Sequence, residues 1–289
     1  MYVKTAPRAL GFVYFIAVLI IFGGIAAGRY AYAAVSASVL LVSTVYQLLS
    51  TAAGTFLPPY DMEIIRKSFP LTPLGAGGKL MDAVSCIHRG EDSEALELLG
   101  SIKEGQLDVP QQASVSFYQS ICYNRMGYPT NAGRCAAEAA DNGICLPESM
   151  LMAARNFYMA GSLGEAREYY EKLLPMSEEK MVFPFVFNEL GRVYISSQMG
   201  EEAQKAFERS LEIGFAPTVS EGGMALACLL QKKHDEACEW YRLALMSHIE
   251  DDDGFKEFAA QVCRAAGLPE DFLDVHLREK YAPSVQNGE

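Results

Sequence analysis

One small residue recurs along this chain at almost constant intervals. Ala95, Ala132, Ala166, Ala203 and Ala237 lie 37, 34, 37 and 34 residues apart. Four positions after them, one helical turn on, come Leu99, Ala136, Tyr170, Phe207 and Tyr241. Turn-forming stretches precede them, such as Arg89–Asp92, Gly127-Tyr128-Pro129 and Gly161-Ser162-Leu163-Gly164. Before those turns sits a further set of small and apolar residues: Ala83 and Cys86, Ser120 and Tyr123, Ala154 with Phe157 and Tyr158. Ala225 and Cys228 do the same ahead of Ala237. Two helices that cross closely need small residues at the contact and large ones beside it. One such pair cannot bury its own apolar face, so a fixed period means that pairs are stacked.

The best-formed unit runs from Phe187 to Glu212. Phe187, Leu190, Gly191 and Tyr194 precede its turn, and Ala203 and Phe207 follow it. Gly200 reads as the end of the first helix, and Glu201 and Glu202 suit the positive start of the second. This order resembles the tetratricopeptide repeat: an aromatic residue, Leu-Gly, Tyr, then Ala and Phe, with Phe187 in place of the family's Trp. The resemblance covers residues 76–250 in five units, of which the first is weakest. The longer intervals place extra residues in loops near Leu107–Pro110 and Ser177–Lys180. Beyond Asp251-Asp252-Asp253-Gly254, segments 255–266 and 269–280, split by Gly267-Leu268-Pro269, lack the signature. They read as capping helices over 251–281, with a disordered tail at 282–289. The expected fold is all-α: a solenoid of helical hairpins with a groove, about five repeats and a cap.

The first sixty residues differ in kind. They hold Lys4, Arg8 and Arg29 and no acid. Residues 9–28 are uncharged, about 30 Å of helix, and a second uncharged run extends from Tyr30 to Tyr60. These imply a transmembrane hairpin over 1–57, with helices at 9–27 and 32–56. Lys4 and Arg8 on one side, Arg66 and Lys67 on the other, against Arg29 in the turn, place both termini in the cytoplasm. The expectation is a multi-pass protein of the plasma membrane. Gly24 and Gly28 are spaced either for self-association or for packing within the hairpin. Residues 58–75 carry Pro58, Pro59, Pro70 and Pro73 and read as a linker beside the membrane, or as a short segment lying on its surface through Ile64, Ile65 and Phe69.

Charge and motif content narrow the function. The chain's net charge is −12; the first sixty residues supply +3, so the rest carries −15. Phosphate contacts need dense Lys and Arg, which argues against nucleic acid. Seven cysteines with no C-x-x-C pair read as reduced thiols. His88, His234, His248 and His276 are scattered, without metal-ligand spacing, and no nucleophile or dinucleotide motif occurs. Gly75-Ala76-Gly77-Gly78-Lys79 has the wrong spacing for a phosphate loop. No catalysis, cofactor or metal is expected.

An interaction protein remains, and the resemblance implies a protein or peptide partner in a groove lined by the first helix of each pair. Counting back from the reference alanines places Leu80 and Val84, Phe117 and Ile121, Leu151 and Arg155, and Asn188 and Arg192 on that lining. Arg155 and Arg192 then grip an acidic or C-terminal carboxylate, with Phe117 and Leu151 taking an apolar side chain. The competing reading makes both arginines local ion-pair partners. Some family members clamp a C-terminal carboxylate with Lys, Asn and Arg. Here Asn188 and Arg192 match loosely, and Leu80 stands in place of the lysine. The alternative function is an accessory subunit of a membrane complex, engaged through its hairpin.

Overall fold

The computed structural model describes residues 57–70, 75–102, 107–144, 146–180, 183–247 and 252–281. Thirteen helices and no strand occur among them. In chain order they are α1 (Pro59–Ser68), α2 (Gly75–Arg89), α3 (Asp92–Gly100), α4 (Val109–Arg125), α5 (Pro129–Asp141), α6 (Leu146–Met159) and α7 (Leu163–Lys180). Then come α8 (Val186–Ser196), α9 (Gly200–Glu212), α10 (Pro217–Leu230), α11 (His234–Met246), α12 (Asp252–Ala265) and α13 (Phe272–Tyr281). Stretches 9–27 and 32–56, the Gly24/Gly28 pair and the tail 282–289 lie outside the described residues. The assignment to the plasma membrane as a multi-pass protein is corrected: among the described residues, no helix is long and apolar enough to cross a membrane.

The chain divides into two compact units, Met1–Val115 and Ser116–Glu289, with the boundary inside α4. In the first unit, α1 packs on α2, and α2 on α3. The expected linker is thus partly helical. Proline stops a helix that arrives from upstream, but Pro59 sits at the start of α1, where its missing N–H costs nothing. Ile64, Ile65 and Phe69 are buried, so these residues belong to the core of the unit. His88 Nε2 lies 2.8 Å from Asp61 Oδ2, and the Ser68 and Ser114 hydroxyls are hydrogen-bonded to each other.

In the second unit each helix from α5 to α10 packs on its successor, α10 also packs on α8 and on α12, and α11 packs on α13. That is the contact pattern of stacked pairs. The reference alanines have no exposed surface in either unit. Phe207 on α9 fills the space between Gly191 on α8 and Gly223 on α10. A Cβ at Gly191 would lie 2.6 Å from its ring, and one at Gly223 closer still.

The turn inside each pair follows one design. Gly90, Gly127, Gly161, Gln198, Lys232 and Gly267 all have φ between 59° and 85°. The N–H of each donates to the carbonyl three residues back, and the next N–H to the carbonyl five back. This left-handed C-cap closes the first helix and turns the chain into the second. It corrects the expected role of Gly200, which opens α9 while Gln198 takes the left-handed position. Gly200 is needed instead for contact: a Cβ there would meet Leu230 Cβ at 3.0 Å and the Ala227 carbonyl at 3.1 Å. The capping pair α12–α13 shares the turn at Gly267, although its sequence lacks the repeat signature. The extra residues expected in a loop near Ser177–Lys180 lengthen α7 instead, which runs through Pro175.

Candidate partner-binding groove

The residues expected to line the groove have different fates. Leu80 and Val84, in the first unit, have no exposed surface and are core positions. Phe117 is buried with its ring edge-on to Tyr118, 5.2 Å between centroids. Ile121 and Leu151 are half-buried. Asn188 is 5% exposed. Only Arg155 and Arg192 are exposed.

Asn188 belongs to a polar network inside the stack. Ser220 Oγ donates to Asn188 Oδ1 at 2.8 Å and lies 3.0 Å from Ser210 Oγ, which ties α8, α9 and α10 together. Asn188 Nδ2 is buried without a partner.

Arg155 is committed within the fold. Its Nε lies 2.9 and 3.1 Å from the two carboxylate oxygens of Glu189, and its guanidinium sits 5.0 Å from the Phe185 ring centre. Tyr170 donates to Glu189 Oε2 at 2.9 Å. The hydrogen bond to Glu189 raises the Arg155 pKa, and burial, followed by the Glu189 charge, raises that of Tyr170. A two-pronged pair of this kind fixes α6 and α7 against α8 and leaves the carboxylate with no spare acceptor for a partner.

Arg192 is different. Its guanidinium lies over the ring of Tyr158 at 5.9 Å and over that of Phe258 at 5.8 Å. No carboxylate among the described residues pairs with it. Tyr158 belongs to α6, Arg192 to α8 and Phe258 to α12. The last two helices are separated in the stack by α10. The Arg192 guanidinium thus brings side chains of α6 and α12 together on one face of the stack. The Tyr158 hydroxyl lies 3.2 Å from Ser196 Oγ, which holds its ring in place.

The motif search had no means of finding one cluster. In the first unit, ligand atoms of Cys86, Glu91 and Glu94 lie within 4.8 Å of one another. Arg89 fills that space, donating to Cys86 Sγ at 3.2 Å and to Glu91 Oε2 at 2.7 Å. The described cysteines are all unbridged and buried. Burial pushes the Cys135 and Cys228 thiols up to about 11, which keeps them neutral and unreactive.

No family of known proteins matches the chain, and no curated protein does. Solved structures do. A crystal structure of MamA protein superposes with a TM-score of 0.51 at 16% identity, over 62% of this chain and 94% of that one. A Podosopora anserina putative kinesin light chain with TPR-like repeats gives 0.46 at 17% identity, over 61% and 95%. PilF of Pseudomonas aeruginosa gives 0.43 at 17%, over 72% and 93%. Together with the repeated turns and reference alanines, the first of these establishes a tetratricopeptide-type helical fold.

Proposed function

We propose that the second unit is a scaffold that binds a protein or peptide partner on its inner face, without catalysis, and that Arg192 is the cationic contact for an anionic group of that partner. The observation that carries this reading is the exposed Arg192 guanidinium, which has aromatic neighbours on two helices and no carboxylate partner among the described residues. Such a group presents in-plane N–H donors that suit a carboxylate. Arg155, the other arginine on the face, is spent on Glu189 and serves stability. The unit holds 27 acidic and 16 basic residues, so a uniformly acidic partner would be repelled. The favoured partner therefore carries its carboxylate locally, beside apolar residues.

The test is capture of binding partners by the full chain carrying Arg192→Ala or Arg155→Ala. Loss with the first and retention with the second supports the groove. Equal capture by wild type and Arg192→Ala removes it.

A further inference from the structure

Phe258 is half-buried: it packs against the core shared by α8 to α13 and also touches the Arg192 guanidinium. It belongs to α12, whose stacking neighbour is α10, yet its ring reaches past α10 to the Arg192 guanidinium. Phe255, one turn earlier, points elsewhere and packs on Tyr241 at 5.7 Å. The helix begins Asp252-Asp253-Gly254-Phe255-Lys256-Glu257-Phe258, aromatic residues set among carboxylates. Asp253 and Glu257 are exposed, and neither pairs with Arg192. So α12 places a ring 5.8 Å from the guanidinium, and no carboxylate among the described residues takes its donors.

We infer that α12 is a built-in occupant of the groove, and that the external partner is a segment of the same chemistry: an aromatic side chain flanked by carboxylates. This rests on the groove reading above. The partner displaces the Phe258 ring from Arg192 and adds the carboxylate that Asp253 and Glu257 do not deliver. Because α12 provides only half of the interaction, it holds the site without closing it permanently. A ligand that must first displace an occupant binds more weakly, in proportion to the fraction of molecules whose site is free.

The probe is a synthetic peptide with the sequence of residues 252–265, Ser in place of Cys263, labelled for fluorescence anisotropy. It is titrated into the full chain as wild type, Phe258→Ala, Phe258→Leu, Arg192→Ala, and Phe258→Ala with Arg192→Ala. The peptide is expected to bind both Phe258 variants at least about tenfold more tightly than wild type, and to lose that gain when Arg192 is also replaced. Phe258→Leu keeps the apolar volume without the π face. Its thermal melt should match wild type, which separates release of the groove from unfolding. Equal binding to wild type and both Phe258 variants, or binding to neither, overturns the built-in occupant. If the peptide binds neither while Arg192→Ala still abolishes partner capture, the groove stands and only this inference falls. If the peptide binds the Phe258 variants regardless of Arg192, the groove's cationic contact is wrong as well.

Discussion

Replacing Gly191 by alanine would put a methyl group 2.6 Å from the Phe207 ring, and the ring cannot retreat because Gly223 lies against it too. Overpacking of this kind costs about 1–3 kcal/mol. Urea unfolding of Gly191→Ala should show a loss in that range, and the smaller side chain of Phe207→Leu in the same chain should restore part of it. Additive losses would mean that ring and glycine are not coupled. At Gln198 the sign reverses. It has φ 59° in the cap that four of the six equivalent turns fill with glycine. Gln198→Gly should stabilise by roughly 0.5–1 kcal/mol, read as a raised melting temperature. Gly191 was legible as a contact residue because close helix crossings require small residues. Gly200 was misread because its glycine serves the next pair, a tertiary demand that local turn chemistry does not reveal. The thiols give a pH test. Cys135 and Cys228 rise from an ordinary 9.0 to about 11 on burial. Their contribution to stability is therefore fully present below pH 9 and lost as pH rises through about 11, because the unfolded chain ionises first. Native protein at pH 8 should resist thiol alkylation at both, and labelling there would mean that the sites open without unfolding.

At the scale of elements, proline is a poor guide to where a helix is absent. Pro59 permits α1 because it occupies the first turn, and Pro175 sits within α7, which continues to Lys180. A sequence marks proline as a breaker, but only the surrounding packing decides whether the helix goes on. The groove was legible as to helix and only partly as to face. Of the residues fifteen before a reference alanine, Leu80, Phe117 and Asn188 are buried and Leu151 is half-buried, whereas two of those eleven before it, Arg155 and Arg192, reach the surface. The first helix of each pair is covered on several sides, so periodicity alone leaves its single open stripe uncertain by about one turn. The two exposed arginines then separate by neighbours that only the fold supplies. Arg155→Ala should destabilise by about 1 kcal/mol, since a two-pronged surface pair joining three helices lies at the upper end for exposed ion pairs. Arg192→Ala should leave unfolding nearly unchanged. Chemical denaturation of both variants settles this, and the opposite order would exchange their roles.

Over the molecule, the period was the most legible feature, because stacking imposes it on the contact residues whatever else varies. The capping pair was expected as two helices split at Gly267, but its likeness to the repeats was not, because that likeness lies in the backbone turn and not in side chains. Stacking has a further consequence within the second unit. Apart from the Arg192–Phe258 contact, each helix pair there packs on its neighbours, so stability is close to a sum of pair and interface terms, and a lesion acts locally before it acts globally. Phe207 joins α8, α9 and α10 through Gly191 and Gly223. Truncating it should cost about 3–5 kcal/mol and open that part of the stack first. In native-state hydrogen exchange, Phe207→Ala should speed exchange most in α8–α11, less in α7, and least in α5. The gradient is the diagnostic: exchange raised equally from α5 to α13 would show that the unit unfolds as one body and that nearest-neighbour stacking does not govern its stability.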